Sequence, residues 1–309
     1  MKWKKFGLVY DVDGKASWSK THAQIPTIYF NGEKSRVYYT TRDADYRSNI
    51  SFVELDSSKL NSVSHVHGKP LLQLGKPGSF DSDGIMMSCL VEHNNALFLY
   101  YVGWNRLIIP SYNLSIGRAV SYDEGVTFEK CYDGPIMTRD ISDPFFVAMP
   151  NIIIQNDLWK MWYISCTEWK PVGQSFEPVY LIKYAESKDG INWNKRTKPC
   201  IDYKYDGEAL GRPSVIFENG KYKMWYSSRG SVGYRDNKNS SYRIGYAESE
   251  NGVDWIRMDE EMTEFKISES GWDSQMMCYA HVADVNKKRY MVYNGNGFGK
   301  TGFGLAIYE

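Results

Sequence analysis

A repeated pattern is the sequence feature that most constrains the fold of this chain. Five segments of the 309 residues each contain an apolar run, a polar turn, an aromatic run, a longer loop and a third run. The apolar runs begin at Pro26, Ser88, Pro150, Pro213 and Ala280, so successive starts are 62, 62, 63 and 67 residues apart. A near-constant period of this length is typical of repeat architectures, in which each copy forms one supersecondary unit.

Each copy has the pattern of four short β-strands. The second runs, such as residues 159–165 and 222–228, are rich in the aromatic residues that favour strands. Several third runs end in Asp-Gly or Asn-Gly turns, which indicate hairpins, and a Trp or Phe opens a fourth strand. We therefore predict an all-β fold over residues 1–309, a single-domain five-bladed β-propeller with four antiparallel strands per blade.

The last copy is one strand short. It ends at Glu309, after its third run, whereas residues 3–10 have the pattern of a fourth strand. We predict that this N-terminal strand pairs with the strand near residues 305–308 and closes the last blade. Closure would hide sheet edges that otherwise pair with other chains.

Composition argues against several classes of protein. Lys+Arg and Asp+Glu both total 37, with no basic stripe, so we expect no nucleic-acid partner. No apolar run is long enough to span a membrane, and the N-terminal residues lack the apolar segment of a secretory signal. The five Cys form no CxxC pair, which favours reduced thiols in a cytoplasmic protein. We expect no cofactor and no metal site, and the oligomeric state stays open.

The repeat also predicts which loops share a face. The turns between first and second strands are short, as in Asn31-Gly32, whereas the loops on the opposite face are long and irregular. Such loops are where binding and catalytic residues concentrate. A feature present in every copy is expected to build the fold, and a feature present in one or two copies is expected to serve a ligand.

Our candidate site residues are those that break the repeat on this face, together with Asp273, which belongs to a recurring set of aspartates. Paired carboxylates can divide the roles of acid and base, arginines can bind phosphate, and flat aromatic rings can stack on sugars. The predicted catalytic residues are Asp83, Glu208 and Asp273. The predicted substrate-binding residues are His22, Gln24, Arg42, Trp104, Trp169, Arg212, Arg229 and Asn296. We expect His22, Asp83, Glu208, Arg212 and Arg229 to line one pocket with Trp104; the alternative is that Arg212 pairs with Glu208.

An aspartate that recurs in most copies is expected to build the fold rather than to bind a ligand. Asp81, Asp143, Asp206 and Asp273 each stand seven residues before the start of a first strand. Because four of the five copies share this residue, we predict a structural role, with the carboxylates accepting hydrogen bonds from nearby loop amides. The alternative is that one of the four is recruited for chemistry.

Two segments carry a family resemblance. Residues 185–193 (AESKDGINW) and 247–255 (AESENGVDW) resemble the five-bladed propeller glycoside hydrolases of families 32, 43, 62, 68 and 130. The whole chain also resembles propellers found among genes for bacterial surface polysaccharides such as O-antigen, with segments such as RVYYTTRD, MWYSSRG and SGWDSQM. The resemblance implies the propeller fold and a carbohydrate ligand.

The chain departs from the catalytic pattern of these families. The resemblance to family 43 implies acidic residues in the first three blades, yet blade 1 offers His22 and Gln24 at that place. Three functions therefore stay open. The first is hydrolysis or transfer at an anomeric centre by carboxylates. The second is precursor synthesis on a nucleotide- or phosphate-linked sugar, and the third is sugar binding without catalysis.

Overall fold

The computed structural model describes residues 1–309 and contains twenty β-strands and almost no helix, which confirms the predicted all-β class. Its helical segments are a 3₁₀ turn at Asp259–Met262 and one turn at Asn296–Gly299, and no helix has the length and apolarity needed to cross a membrane. The strands are β1 (Trp3–Tyr10), β2 (Thr21–Phe30), β3 (Ser35–Arg42), β4 (Ser48–Leu55), β5 (Val63–Val66), β6 (Gly84–His93), β7 (Ala96–Arg106), β8 (Tyr112–Ser121), β9 (Glu129–Lys130), β10 (Val147–Gln155), β11 (Leu158–Val172), β12 (Ser175–Ser187), β13 (Asn194–Lys195), β14 (Glu208–Glu218), β15 (Lys221–Gly230), β16 (Arg243–Ser249), β17 (Ile256–Arg257), β18 (Cys278–Val285), β19 (Lys288–Asn294) and β20 (Phe303–Tyr308).

Three sheets contain four antiparallel strands each, in the orders β10-β11-β12-β13, β14-β15-β16-β17 and β1-β20-β19-β18. The other eight strands form one sheet, in which β2 to β5 and β6 to β9 are joined by a single parallel pairing of Ser48 with Gly84. When the eight-stranded sheet is divided at this single pairing, the strands form five groups that follow the five copies of the sequence repeat, with β1 joining the last group.

The N-terminal strand completes the last sheet, as predicted. Strand β1 pairs antiparallel with β20, with Trp3 opposite Tyr308 and Tyr10 opposite Phe303. The ring of Trp3 also packs edge-on against Trp225 of the preceding sheet, at 6.0 Å between centroids. The first residues of the chain thus protect an edge that β20 would otherwise expose.

The apolar core lies between sheets rather than inside one of them. One cluster of buried side chains joins the first and second strand groups, and further clusters join each later group to the next. A fifth cluster packs Ile28 and Val37 of the first group against Val292 and Leu305 of the last. A hydrogen bond from the Ile25 amide to Asn294 Oδ1 (2.7 Å) also links last to first. The five groups therefore pack face to face in a ring.

A bulge in the first strand of each group shapes the centre of this ring. The antiparallel register shifts at the same place in β2, β6, β10, β14 and β18. At this place Ile25, Met149, Arg212 and Tyr279 have positive φ angles of 56°, 50°, 52° and 55°. A bulge re-aims the side chain that it carries, so these four side chains depart from the regular alternation of their strands.

Candidate functional site

A cavity of about 330 Å³ opens at the ends of the strands. It lies on the predicted face, where the first strands begin and where the second strands lead through long loops into the third. Its wall is mainly apolar and aromatic and receives residues from all five strand groups. The lining residues are Gln24, Arg42, Tyr46, Ser48, Met86, Trp104, Tyr112, Leu114, Phe146, Ala148, Met149, Ile164, Pro178, Tyr180, Gly211, Arg229, Tyr234, Arg235, Tyr242, Tyr279 and Phe298.

Four of the predicted substrate-binding residues line this cavity: Gln24, Arg42, Trp104 and Arg229. The Trp104 ring is fixed by a hydrogen bond from its Nε1 to Ser48 Oγ (2.7 Å). A side chain at Gly84 would reach within 1.6 Å of that same Nε1, so only glycine leaves room for the ring. The structure therefore holds Trp104 as a rigid aromatic wall of the cavity.

Arg42 contributes a positive charge that no carboxylate balances. Its Nη2 donates to the neutral Gln24 Oε1 (3.1 Å), and it makes no salt bridge. Burial lowers the pKa of Arg42, and the charge of Arg235 adds to this effect. Arg235 itself is neutralised by Glu177, with Nε and Nη2 donating at 3.1 and 3.0 Å.

Arg229 is the second arginine of the cavity that has no carboxylate partner. It is 2% exposed, and its Nη1 and Nη2 donate to the carbonyls of Gly230 (2.9 Å) and Pro178 (2.8 Å). Its Nε donates to two tyrosine hydroxyls, those of Tyr180 (3.2 Å) and Tyr242 (3.1 Å). The ring of Tyr234 lies 3.9 Å from the guanidinium carbon, so aromatic rings surround this charge.

No Asp or Glu lines the cavity. Glu208 is 1% exposed, but it forms two hydrogen bonds with Arg257, at 2.8 and 2.9 Å. Burial opposes ionisation of Glu208, yet the bonds from Arg257, the Lys204 amide and Ser228 outweigh it and hold the pKa of the carboxyl below its ordinary value. A carboxylate held in this way is stabilised in its charged form and is poorly suited to donate a proton.

The other two predicted catalytic residues also lie outside the cavity lining. Asp273 is buried and accepts from Lys5 Nζ (2.6 Å) and the Tyr293 hydroxyl (3.2 Å). Asp83 is half-buried and accepts from the Arg106 amide (2.9 Å) and Ser82 Oγ (3.3 Å). Asp83 is thus the one member of the predicted trio that has no salt bridge.

The prediction of one pocket holding six residues is therefore wrong for His22, Asp83, Glu208 and Arg212. His22 is buried beside Thr21, and burial together with the charge of Arg42 lowers its pKa to about 3. The suggested pairing of Arg212 with Glu208 is also wrong. Arg212 is fully buried and donates to the Ser88 carbonyl (2.8 Å) and Thr27 Oγ1 (2.7 Å), so it crosses the centre of the ring.

Two further predicted binding residues are placed behind the wall or in a loop. Trp169 packs edge-on against Tyr112 and Phe146, at 5.0 and 5.7 Å between centroids, and so supports two lining rings. Asn296 accepts from the Gln275 amide (2.8 Å) and donates to the Gly271 carbonyl (2.9 Å). These bonds make Asn296 a tie between two loops.

The recurring aspartates are structural, but their predicted partners are wrong. Asp81 accepts from the Tyr101 hydroxyl (3.2 Å) and Lys130 Nζ (2.6 Å), where we expected loop amides. Asp143 accepts in the same way from Tyr163 and Lys195, and Asp273 from Tyr293 and Lys5. We call these three sets the Asp–Tyr–Lys clusters. Asp206 does not form one, because its side chain is 96% exposed and contacts only Lys170.

Sequence reasoning missed Arg235 and the tyrosines of the cavity. Tyr180, Tyr234 and Tyr242 belong to a chain with 24 Tyr, most of them in strands, so composition alone could not single them out. A usable signal is that Tyr234 and Arg235 lie in the long loop between β15 and β16, which has no counterpart of equal length in the first copy.

Two full-length relatives come from *Mycobacterium tuberculosis*. The chain is 33% identical over 312 residues to the uncharacterized proteins Rv1502 (strain H37Rv) and MT1551 (strain CDC 1551), with both partners fully covered. A shorter match, 32% identical over 107 residues and 34% of each chain, is to a 1,2-beta-oligomannan phosphorylase of *Thermoanaerobacter*. No protein-family model matches the chain.

Solved structures show the fold. The structure of a glycoside hydrolase matches with a TM-score of 0.74 at 17% identity, covering 98% of this chain and 90% of that one. A thermostable family-43 glycoside hydrolase has a TM-score of 0.66 at 17% identity, covering 95% and 91%. The chain therefore has the propeller fold of these glycoside hydrolases, as the sequence resemblance implied.

Proposed function

Since the chain belongs to the same family as Rv1502 of *M. tuberculosis* and has a glycoside-hydrolase-like propeller fold, we propose that it is a carbohydrate-active enzyme whose central cavity binds a phosphate-bearing sugar. We also interpret its five strand groups as five blades of one domain over residues 1–309. The observation that carries the proposal is the charge of the cavity: three arginines line it and no carboxylate does.

The unbalanced charge supports an anionic ligand. Burying a cation without a carboxylate partner is costly. Arg212 is such a cation but lies outside the cavity, whereas a ligand can reach the arginines that line it. Arg235 is paired with Glu177, whereas Arg42 and Arg229 make hydrogen bonds only to neutral groups. Phosphate oxygens form strong charge-assisted bonds with guanidinium groups and would balance this charge.

The aromatic wall supports a sugar as the rest of the ligand. Trp104, Tyr112 and Phe146 lie in a cavity whose volume falls in the usual range for small-molecule sites. Flat rings offer faces for a sugar or a nucleobase, while Gln24 and Ser48 offer polar contacts. In this proposal Gln24, Arg42, Trp104 and Arg229 bind substrate, as the sequence predicted.

Two sources of phosphate fit this cavity. One is a phosphate ester or diphosphate carried by the sugar, as in precursors of surface polysaccharides. The other is inorganic phosphate as co-substrate, and the partial matches to two *Thermoanaerobacter* phosphorylases, of 1,2-beta-oligomannan and beta-1,2-mannobiose, favour including it in any test.

Hydrolysis by carboxylates is the second candidate function. It is favoured by Asp83, which makes no salt bridge. Asp83 lies on the same face and directly precedes Gly84, the residue of β6 that pairs with Trp104 of β7. In that case Asp83 acts as the acid, whereas Glu208 and Asp273 stay in structural ion pairs.

Calorimetric titration tests the proposed function. The ligands are inorganic phosphate, a sugar 1-phosphate, a nucleoside diphosphate sugar and the matching neutral sugars. We expect a phosphate-bearing ligand to bind more tightly than its neutral counterpart. Arg42→Gln should weaken that binding by about 10- to 100-fold, because it removes a charged hydrogen bond of about 1.5–3 kcal/mol.

The matched control is Arg139→Gln, which removes an exposed arginine outside the cavity and should leave every affinity unchanged. Tighter binding of a neutral oligosaccharide, unaffected by Arg42→Gln, would contradict the proposal and favour the hydrolase.

A further inference from the structure

The hydroxyl groups of Tyr180 and Tyr242 form a pair inside the cavity. The two oxygens are hydrogen-bonded to each other, and both accept from Nε of Arg229. Both rings line the cavity and are almost fully buried. The other N–H contacts of Arg229 go to backbone carbonyls, so its charge reaches the cavity mainly through these two hydroxyls.

Counting protons shows what the pair can offer to a ligand. Each tyrosine hydroxyl has one proton to donate. One of the two protons is used in the bond between the hydroxyls, and the other has no acceptor among the protein groups. The hydroxyl of the neighbouring Tyr279 brings its own proton, so a chain of three hydroxyls also keeps one O–H without an acceptor.

The pair also keeps its protons. Burial raises the pKa of Tyr180 and of Tyr242 above the ordinary tyrosine value, although the charge of Arg229 acts in the opposite direction. The hydroxyls therefore remain donors at neutral pH. A fixed donor backed by a cation is the arrangement that stabilises a negatively charged oxygen.

We propose that Tyr180 and Tyr242, backed by Arg229, form an anion subsite that donates one O–H hydrogen bond to a phosphate oxygen of the ligand. This inference rests on the proposed function and specifies where its phosphate lies. Since either hydroxyl can supply the free proton, the subsite is redundant: loss of one hydroxyl releases the proton of the other.

Phenylalanine variants test the redundancy, with inorganic phosphate as the probe and calorimetry as the measurement. Tyr180→Phe and Tyr242→Phe should each keep phosphate affinity within about threefold. The double variant should lose about 10- to 100-fold, more than the product of the two single losses. All three variants keep the rings that surround Arg229.

Tyr246→Phe is the matched control. Tyr246 is buried outside the cavity lining and its hydroxyl donates to Glu248 (2.6 Å), so removal of that hydroxyl should change phosphate affinity by less than twofold. A purely structural role of the tyrosine pair would weaken binding of a neutral sugar to the same extent as binding of phosphate.

A second measurement uses the unmutated protein and does not depend on the folding of a variant. Saturating phosphate should shift the near-ultraviolet absorbance of tyrosine, whereas sodium chloride at equal ionic strength should not. An unchanged spectrum, or a double variant that binds phosphate like the unmutated protein, overturns the subsite while leaving the proposed function standing. Failure of the unmutated protein to bind inorganic phosphate, a sugar 1-phosphate and a nucleoside diphosphate sugar overturns both.

Discussion

The Asp–Tyr–Lys clusters and the central cavity treat buried charge in opposite ways. Asp143 is fully buried and accepts hydrogen bonds from Lys183, Lys195, Tyr163 and Ser165, so its charge is fully compensated. In the cavity, Arg42 and Arg229 have only neutral partners. The clusters recur in three strand groups, whereas the arginines occur once. The charge of each cluster is balanced within the protein, whereas the charges of Arg42 and Arg229 are left unbalanced in a cavity that a ligand can enter.

The same contrast explains why Glu208 misled the sequence argument. An acidic residue at its repeat position occurs in only two copies, which made Glu208 a candidate for catalysis. In the structure Glu208 instead forms an ion pair in the fourth group, whose recurring Asp206 is exposed. Arg257 of β17 bridges Glu208 and Asp259, and Asp259 accepts from the Tyr226 hydroxyl (2.5 Å). In this group Arg257 and Tyr226 thus compensate the carboxylates, as Tyr and Lys do in the three Asp–Tyr–Lys clusters.

The largest expected effect comes from breaking one cluster. Asp143→Asn should lower the free energy of unfolding by about 3–5 kcal/mol, because it leaves the amines of Lys183 and Lys195 buried with too little compensating charge. Asp206→Asn is the matched control at the same repeat position and should change it by less than about 0.5 kcal/mol, since that side chain is exposed. Urea denaturation measures both, and equal losses would show that repeat position, rather than compensation, sets the effect.

A smaller effect is expected from Glu208→Gln. It should lower the free energy of unfolding by about 2–3 kcal/mol, because Arg257 keeps Asp259 as a partner. The pKa of Glu208 is depressed in the folded state, so its stabilisation is present above its ordinary pKa of 4.5 and is lost as pH falls below that value. Urea denaturation between pH 3 and pH 7 should therefore show the variant and the unmutated protein converging at the acid end.

Phosphate affinity at neutral pH distinguishes a structural role of Glu208 from a role in ligand binding. It should be the same in Glu208→Gln as in the unmutated protein, because Glu208 lies outside the cavity lining. A variant of full stability that has lost phosphate binding would place Glu208 in the site after all.

The sequence predicted the architecture well because the architecture is periodic. The spacing of the apolar runs, the Asp-Gly and Asn-Gly turns and the missing last strand were enough to predict all-β structure and the pairing of β1 with β20. The same register placed the cavity on the correct face. These features depend on local pattern, which a single sequence displays directly.

The candidate site was predicted only in part because its geometry depends on contacts between groups. Gln24, Arg42, Trp104 and Arg229, which line the cavity, were predicted by asking which residues break the repeat. That rule could not distinguish Arg229, which faces the cavity, from Arg212, which a bulge turns into the centre of the ring. Compensation of Glu208 by Arg257, 49 residues away in the sequence, leaves no local signal either.

The most direct test of the central claim is a crystal structure of the protein soaked with tungstate, a phosphate mimic located by its anomalous scattering. The account predicts a peak in the central cavity, within hydrogen-bond distance of the Arg42 guanidinium and the Tyr180–Tyr242 pair. Peaks confined to surface lysines, with none in the cavity, would contradict it.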